Sequence, residues 1–130
     1  MAGDSGTPLA KKLGIEPGST ILLDGAPDDY PSKEATVARS LSGRVDLVHI
    51  FTKSAPELDA KLRKLRDRIR NDAAVWVSWP KKSSKVPTDI TEDVIRDIAL
   101  PLGFVDVKVC AVDEVWSGLK LVIRRQQRKQ

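Results

Sequence analysis

Only six residues, Asp113 to Gly118, separate an apolar run at Phe104–Val112 from another at Leu119–Ile123. A parallel crossover needs a dozen residues or more, so these two runs can pair only as an antiparallel hairpin. Three earlier runs, Ser19–Leu23, Val45–Phe51 and Ala73–Trp79, are spaced far enough apart for a helix to carry the chain back between them. The second and third are apolar at most positions, as strands covered on both sides must be. The pattern predicts a three-layer α/β fold around a mostly parallel, five-stranded, Rossmann-like sheet with right-handed crossovers. Asp106, Lys108 and Cys110 alternate with Val105, Val107 and Val109, and charges along a strand mark an edge. The fifth strand is therefore expected between the third and fourth, antiparallel, in the order 1-2-3-5-4.

Helical signals fill the gaps. Thr7 and Pro8 open a short turn in which Leu9 and Leu13 share a face, and Gly14 ends it. Pro31 to Leu41 reads as a second helix closed by Gly43. Next, Ser54 and Glu57 form a capping box, and Leu58, Leu62, Leu65 and Ile69 recur on one stripe. The opposite face carries Lys61, Arg63, Lys64, Arg66, Arg68 and Arg70. Glu57–Lys61, Asp59–Arg63 and Arg63–Asp67 stand four apart, so this face reads as solvated and self-paired rather than as a partner surface. A last helix, capped by Thr88 or Asp89, carries Ile90, Val94 and Ile98 and stops at Pro101-Leu102-Gly103.

With 130 residues, 41% hydrophobic and 31% charged, the chain suits one globular domain. Residues 1–7 read as a disordered N-terminus, 8–123 as the single α/β domain and 124–130 as a basic C-terminal tail. Four of the 22 basic residues stand in that tail, which leaves 18 basic against 18 acidic groups in residues 1–123. A nucleic-acid surface spreads its cations over one face of the body, so nucleic acid is not the favoured partner. One cysteine and one histidine exclude a disulfide framework and a Cys/His zinc site and point to a reducing cytoplasm. The acidic start and the lack of any run of about 18 apolar residues predict neither a signal peptide nor a membrane span.

Ligands of open parallel sheets bind at the carboxyl ends of the strands. The loops expected there hold Asp24, Gly25 and Tyr30, then Lys81 and Lys82 beyond Trp79, then Asp113, Trp116 and Ser117. Tryptophan and tyrosine on a rim, with lysines near carboxylates, suit an anionic or aromatic ligand, and these nine residues are the candidate site. His49, inside the second strand, reads as a hydrogen-bonded core histidine. Cys110 reads as inert packing. Asp24, Asp28 and Asp29 match no calcium-loop spacing and read as turn formers, so no metal is expected.

Two resemblances follow from these residues. Trp76-Val77-Ser78-Trp79-Pro80-Lys81-Lys82, Pro87-Thr88-Asp89, Leu100-Pro101-Leu102-Gly103, Val105 to Asp113 and Trp116 to Lys120 together resemble a family of small bacterial proteins with no assigned activity. More distantly, Gly14-Ile15-Glu16-Pro17-Gly18-Ser19-Thr20-Ile21-Leu22-Leu23 and the inserted antiparallel last strand resemble class I S-adenosylmethionine (SAM)-dependent methyltransferases. That resemblance implies a SAM site at Gly25. It also implies a depleted one: Gly25-Ala26-Pro27 puts a proline where those enzymes carry their second glycine, and the two strands that normally follow, one ending in a ribose-binding acid, are absent from this reading. No cofactor is assigned on these grounds.

The expectation is a non-catalytic, methyltransferase-like domain that binds a small ligand or a protein partner at the carboxyl edge. The alternatives are a minimal SAM-dependent methyltransferase and a nucleic-acid-binding accessory domain using Lys81, Lys82 and the tail.

Overall fold

The computed structural model describes residues 8–127. The expected disorder of residues 1–7 and the last three residues of the basic tail lie outside the described residues. Pro8 precedes α1 (Leu9–Leu13), and Gly14, at φ +83°, closes it in the left-handed conformation that glycine adopts without steric cost. Then follow β1 (Thr20–Asp24), β2 (Thr36–Val37), β3 (Leu47–Phe51), α2 (Ala55–Arg66), β4 (Ala74–Pro80), α3 (Glu92–Ala99), β5 (Phe104–Ala111) and β6 (Trp116–Ile123). They form one mixed sheet in the order β2-β1-β3-β4-β6-β5. β6 lies antiparallel between β4 and β5, as the short link and the charged edge predict. The other strand pairs are parallel.

The sheet has six strands rather than five. The helix expected over Pro31–Leu41 does not form, and its middle supplies β2 instead. Without a neighbour the outer backbone of β1 would be left unpaired. The Thr36 amide donates to the Ser19 carbonyl and the Ala38 amide to that of Ile21, both at 2.7 Å. β-branched Thr36 and Val37 favour this extended pairing over a helix. Of the two strands expected to be missing after the first, one is thus present as a two-residue remnant.

α2 starts on the predicted cap, where Ser54 Oγ accepts the Glu57 amide. It buries Leu58, Leu62 and Leu65 and ends at Arg66, so Arg68, Ile69 and Arg70, read as part of its two faces, lie past its end. α3 is capped by Thr91 rather than by Thr88 or Asp89. Asp89 instead accepts the Ala55 amide, and Thr88 donates to the Lys53 carbonyl, so both residues tie the start of α2 to the loop before α3. Ile95 and Ala99 are the buried residues of α3, Ile98 packs partly buried against the same core, and Val94 is half-buried.

Helices α2 and α3 cover one face of the sheet over Val48, Ile50, Val75, Val77, Trp79, Leu119 and Leu121. The other face carries Leu47, Phe51 and Trp76 and is covered by α1 together with irregular segments that contribute Tyr30 and Val112. A β-bulge between Asp106 and Lys108 breaks the alternation of β5, so Val107 and Val109 are exposed and do not line the core.

Candidate functional site

The candidate residues divide between the two faces. At the end of β1 the Asp24 carboxylate accepts from Lys61 Nζ at 2.9 Å, and the same ammonium reaches Glu57 at 3.0 Å. Glu57 also accepts from Thr52 Oγ1. This chain of contacts anchors the carboxyl end of β1 to α2. Gly25 follows at φ +77°, and a Cβ built there would meet the Phe51 carbonyl at 2.8 Å. Only glycine lets the loop lie this close to the end of β3.

Past Gly25 the chain turns over the α1 face, where the Tyr30 amide donates to the Pro27 carbonyl. Tyr30 is 7% exposed, so its ring is a core side chain and not a rim platform. Its hydroxyl lies 2.8 Å from His49 Nδ1, and His49 Nε2 lies 2.7 Å from Ser78 Oγ. His49 and Ser78 have no exposed surface. Burial pushes the imidazole pKa down to about 3 and the Tyr30 phenol up. A neutral ring has one donor and one acceptor nitrogen, which suffices for both contacts whichever tautomer is present. The core reading of His49 holds, and the network leaves no polar atom of these side chains unsatisfied among the described residues.

Around this network the rings of Trp76, His49, Phe51 and Trp116 form a column. His49 stacks on Phe51 at 4.3 Å, and Trp116 meets Phe51 edge-on at 5.2 Å. Trp116 is therefore partly packed rather than displayed. Trp79 departs further from the expected rim: it is 8% exposed and lies in the core under α2 and α3. Successive residues of a strand point to opposite faces, which separates Trp79 from Ser78 and Tyr30.

The loops after β4 and β5 do meet, as the strand order predicts. The Lys81 amide donates to the Val115 carbonyl at 2.7 Å, and Trp79 pairs with Ser117. Asp113 Oδ1 accepts the amides of Val115 and Trp116, so its carboxylate builds the turn. Lys82 is exposed. The hollow at this edge, between Leu9, Pro27, Tyr30 and Asp113, holds about 50 Å³. Larger clefts, of about 510 and 420 Å³, lie at the amino ends of the strands around Gly14, Glu16 and Pro17. Among the described residues no three His, Cys, Asp or Glu side chains gather around a common point for a metal. None of the described helices is long and apolar enough to cross a membrane.

Sequence reasoning missed Ser78 and the Tyr30 contact. The available signal was the parallel register, which sets His49 beside Trp76 and Phe51 beside Ser78. Trp116→Ala should cost about 2 kcal/mol in a urea melt, above the surface range and below the loss for a fully buried tryptophan. A change under about 0.5 kcal/mol would mean that its packing on Phe51 contributes little to stability.

Strand order, the antiparallel β6 between β4 and β5, and the glycine turn at the end of β1 define a methyltransferase-like Rossmann fold. Solved structures agree. The chain is similar to a protein from Sulfolobus solfataricus assigned to the type 11 methyltransferases, with a TM-score of 0.65 and 9% identity over 94% of this chain and 93% of that one. It is also similar to the SAM-bound magnesium protoporphyrin IX methyltransferase of Synechocystis PCC 6803, with a TM-score of 0.60 and 16% identity over 88% and 74%. LepI in complex with SAM matches at 0.56 and 10% identity, over 89% of this chain but 39% of LepI. No family profile matches the sequence, and no curated protein matches it, so the resemblance to a family of small bacterial proteins rests on the segments between Trp76 and Lys120 named above.

Proposed function

We propose that the chain is a minimal SAM-binding domain of the methyltransferase fold, with the ligand meeting the carboxyl ends of β1 and β3 at Gly25. The observation that carries this reading is the match to the Sulfolobus protein over nearly the full length of both chains, which shows the same reduced scaffold in a protein assigned to the methyltransferases. The tight glycine turn supports it, because a backbone without a Cβ lets a ligand approach closely. Methyl transfer is not part of the proposal: Asp24 and Asp113 are engaged, His49 is sealed, and Asp28 and Asp29 are exposed on the loop surface.

A second reading, a non-catalytic domain that binds a protein partner, is favoured by a different observation. Tyr30 closes the α1 face beside Gly25, and no acidic residue stands between Glu34 and Asp46 to hold a ribose. Calorimetry of the full chain with SAM, combined with amide NMR, separates the two. The first reading expects dissociation constants of about 100 μM or tighter, with shifts centred on Gly25, Ala26, Phe51 and Thr52. No heat at about 1 mM SAM overturns it in favour of the second.

A further inference from the structure

The basic face of α2 is only partly self-paired. Lys61 holds Asp24 and Glu57, Arg63 holds Asp59, Arg66 donates to the Leu102 carbonyl, and Arg70, past the end of the helix, holds Asp46. Lys64 and Arg68 have no acidic partner among the described residues. Both are exposed, Lys64 in the last turn of α2 and Arg68 two residues past its end, and their like charges repel. Both border a groove of about 170 Å³ between α2 and the segment after β2. Its floor is apolar, from Leu22, Leu41 and Leu65. The carboxylate that reaches the groove, Asp24, is already neutralised by Lys61, so the charge left unmatched there is positive.

We propose that this groove binds a small amphipathic carboxylate, its apolar body on Leu22, Leu41 and Leu65 and its charged head between Lys64 and Arg68. Covering the leucines removes apolar surface from water. The guanidinium of Arg68 offers paired donors that match a carboxylate, and the ammonium of Lys64 adds a point charge. An anion there also relieves the repulsion between the two cations. The volume is below the roughly 300–1,000 Å³ of sites for drug-sized ligands, so the body is the size of a short alkyl chain or a single ring. The groove lies on the α2 face, and binding there requires neither Gly25 nor Tyr30 to move.

The test uses octanoate and protonated octylamine, which share one apolar body and carry opposite charges, in amide NMR titrations of the full chain. Octanoate is expected to shift the signals of Leu22, Leu41 and Leu65 and to bind at least about tenfold tighter than octylamine. The exposed double variant Lys64→Glu/Arg68→Glu should weaken octanoate at least about tenfold and reverse the preference, with the rest of the spectrum unchanged. SAM binding should be the same in both proteins, which keeps this result separate from the Gly25 reading. The proposal is overturned by no shift at about 10 mM octanoate, by equal binding of the two probes, or by octanoate binding the double variant as tightly as the native chain.

Discussion

Trp76→Ala is expected to lower the unfolding free energy by about 4 kcal/mol, within the range for buried tryptophan truncations. The side chain has no exposed surface, and its indole N–H donates to the Leu13 carbonyl at 2.9 Å, so it ties α1 to the sheet as well as filling the core. Domains of this size are stable by only about 5–15 kcal/mol, so the variant should be close to unfolding at moderate temperature. Urea melts read the loss directly. Trp76→Phe keeps most of the bulk and removes the donor, so it should lose about 1–2 kcal/mol. A loss under about 1 kcal/mol for the alanine variant would refute the assignment of Trp76 as the peg between α1 and β4.

Acid should destabilise the protein well before its carboxylates titrate. His49 is the only histidine, and its pKa falls from an ordinary 6.5 to about 3 in the folded state because burial disfavours the imidazolium. The folded pKa lies below the unfolded one, so the stability this residue contributes is fully present above about pH 6.5 and is lost as pH falls toward 3. The slope approaches about 1.4 kcal/mol per pH unit, which gives a loss of roughly 2 kcal/mol between pH 6.5 and 5 and roughly 4 kcal/mol over the whole window. Asp46, held low by the Thr20 amide and Arg70, and Glu57, held low by Lys61 and Thr52, add their own losses only at lower pH. Urea melts at several values between pH 7.5 and 5 should show the slope in the native chain and a nearly flat line for His49→Gln. A native chain equally stable at pH 7.5 and 5 would show that His49 takes up protons without unfolding.

The features legible in the sequence were the local ones. A capping residue and a leucine stripe are both contained within one segment, so Ser54 and Leu58 to Leu65 identify α2 without reference to the rest of the chain. The short link between the last two apolar runs is also a local constraint, and with the charges on β5 it places β6 inside the sheet; it is four residues rather than six, because Trp116, Ser117 and Gly118 join β6 and Val112 falls outside β5. β2 was not legible, because backbone amides reaching β1 hold it, and Ala35, Ala38 and Leu41 carry a helical spacing that competes with that pairing. The bulge in β5 was hidden for a similar reason. Val105, Val107 and Val109 alternate in sequence, and only the register against β6 reveals that the alternation is broken. At the candidate site the meeting of the two loops, Lys81 with Val115, is legible in the sequence, whereas exposure is not. Tyr30 and Trp79 flank loops, which suggests a rim, whereas burial depends on what packs above them. The Tyr30–His49–Ser78 contact joins three separate segments through side chains, and no spacing along one segment encodes it.

The interior position of β6 bears on how the chain comes off the ribosome. β4 pairs with β3 on one side and with β6 on the other, through registers running from Ala74–Val122 to Pro80–Trp116. β5 meets the rest of the sheet only through β6. During synthesis β4 and β5 are therefore made with the strand between them still missing, and β4 presents an open apolar edge until the segment ending at Ile123 has emerged. An unpaired edge of this kind invites pairing with other chains. Closure of the sheet consequently waits for β6, and the open edge of β4 persists throughout the synthesis of α3 and β5.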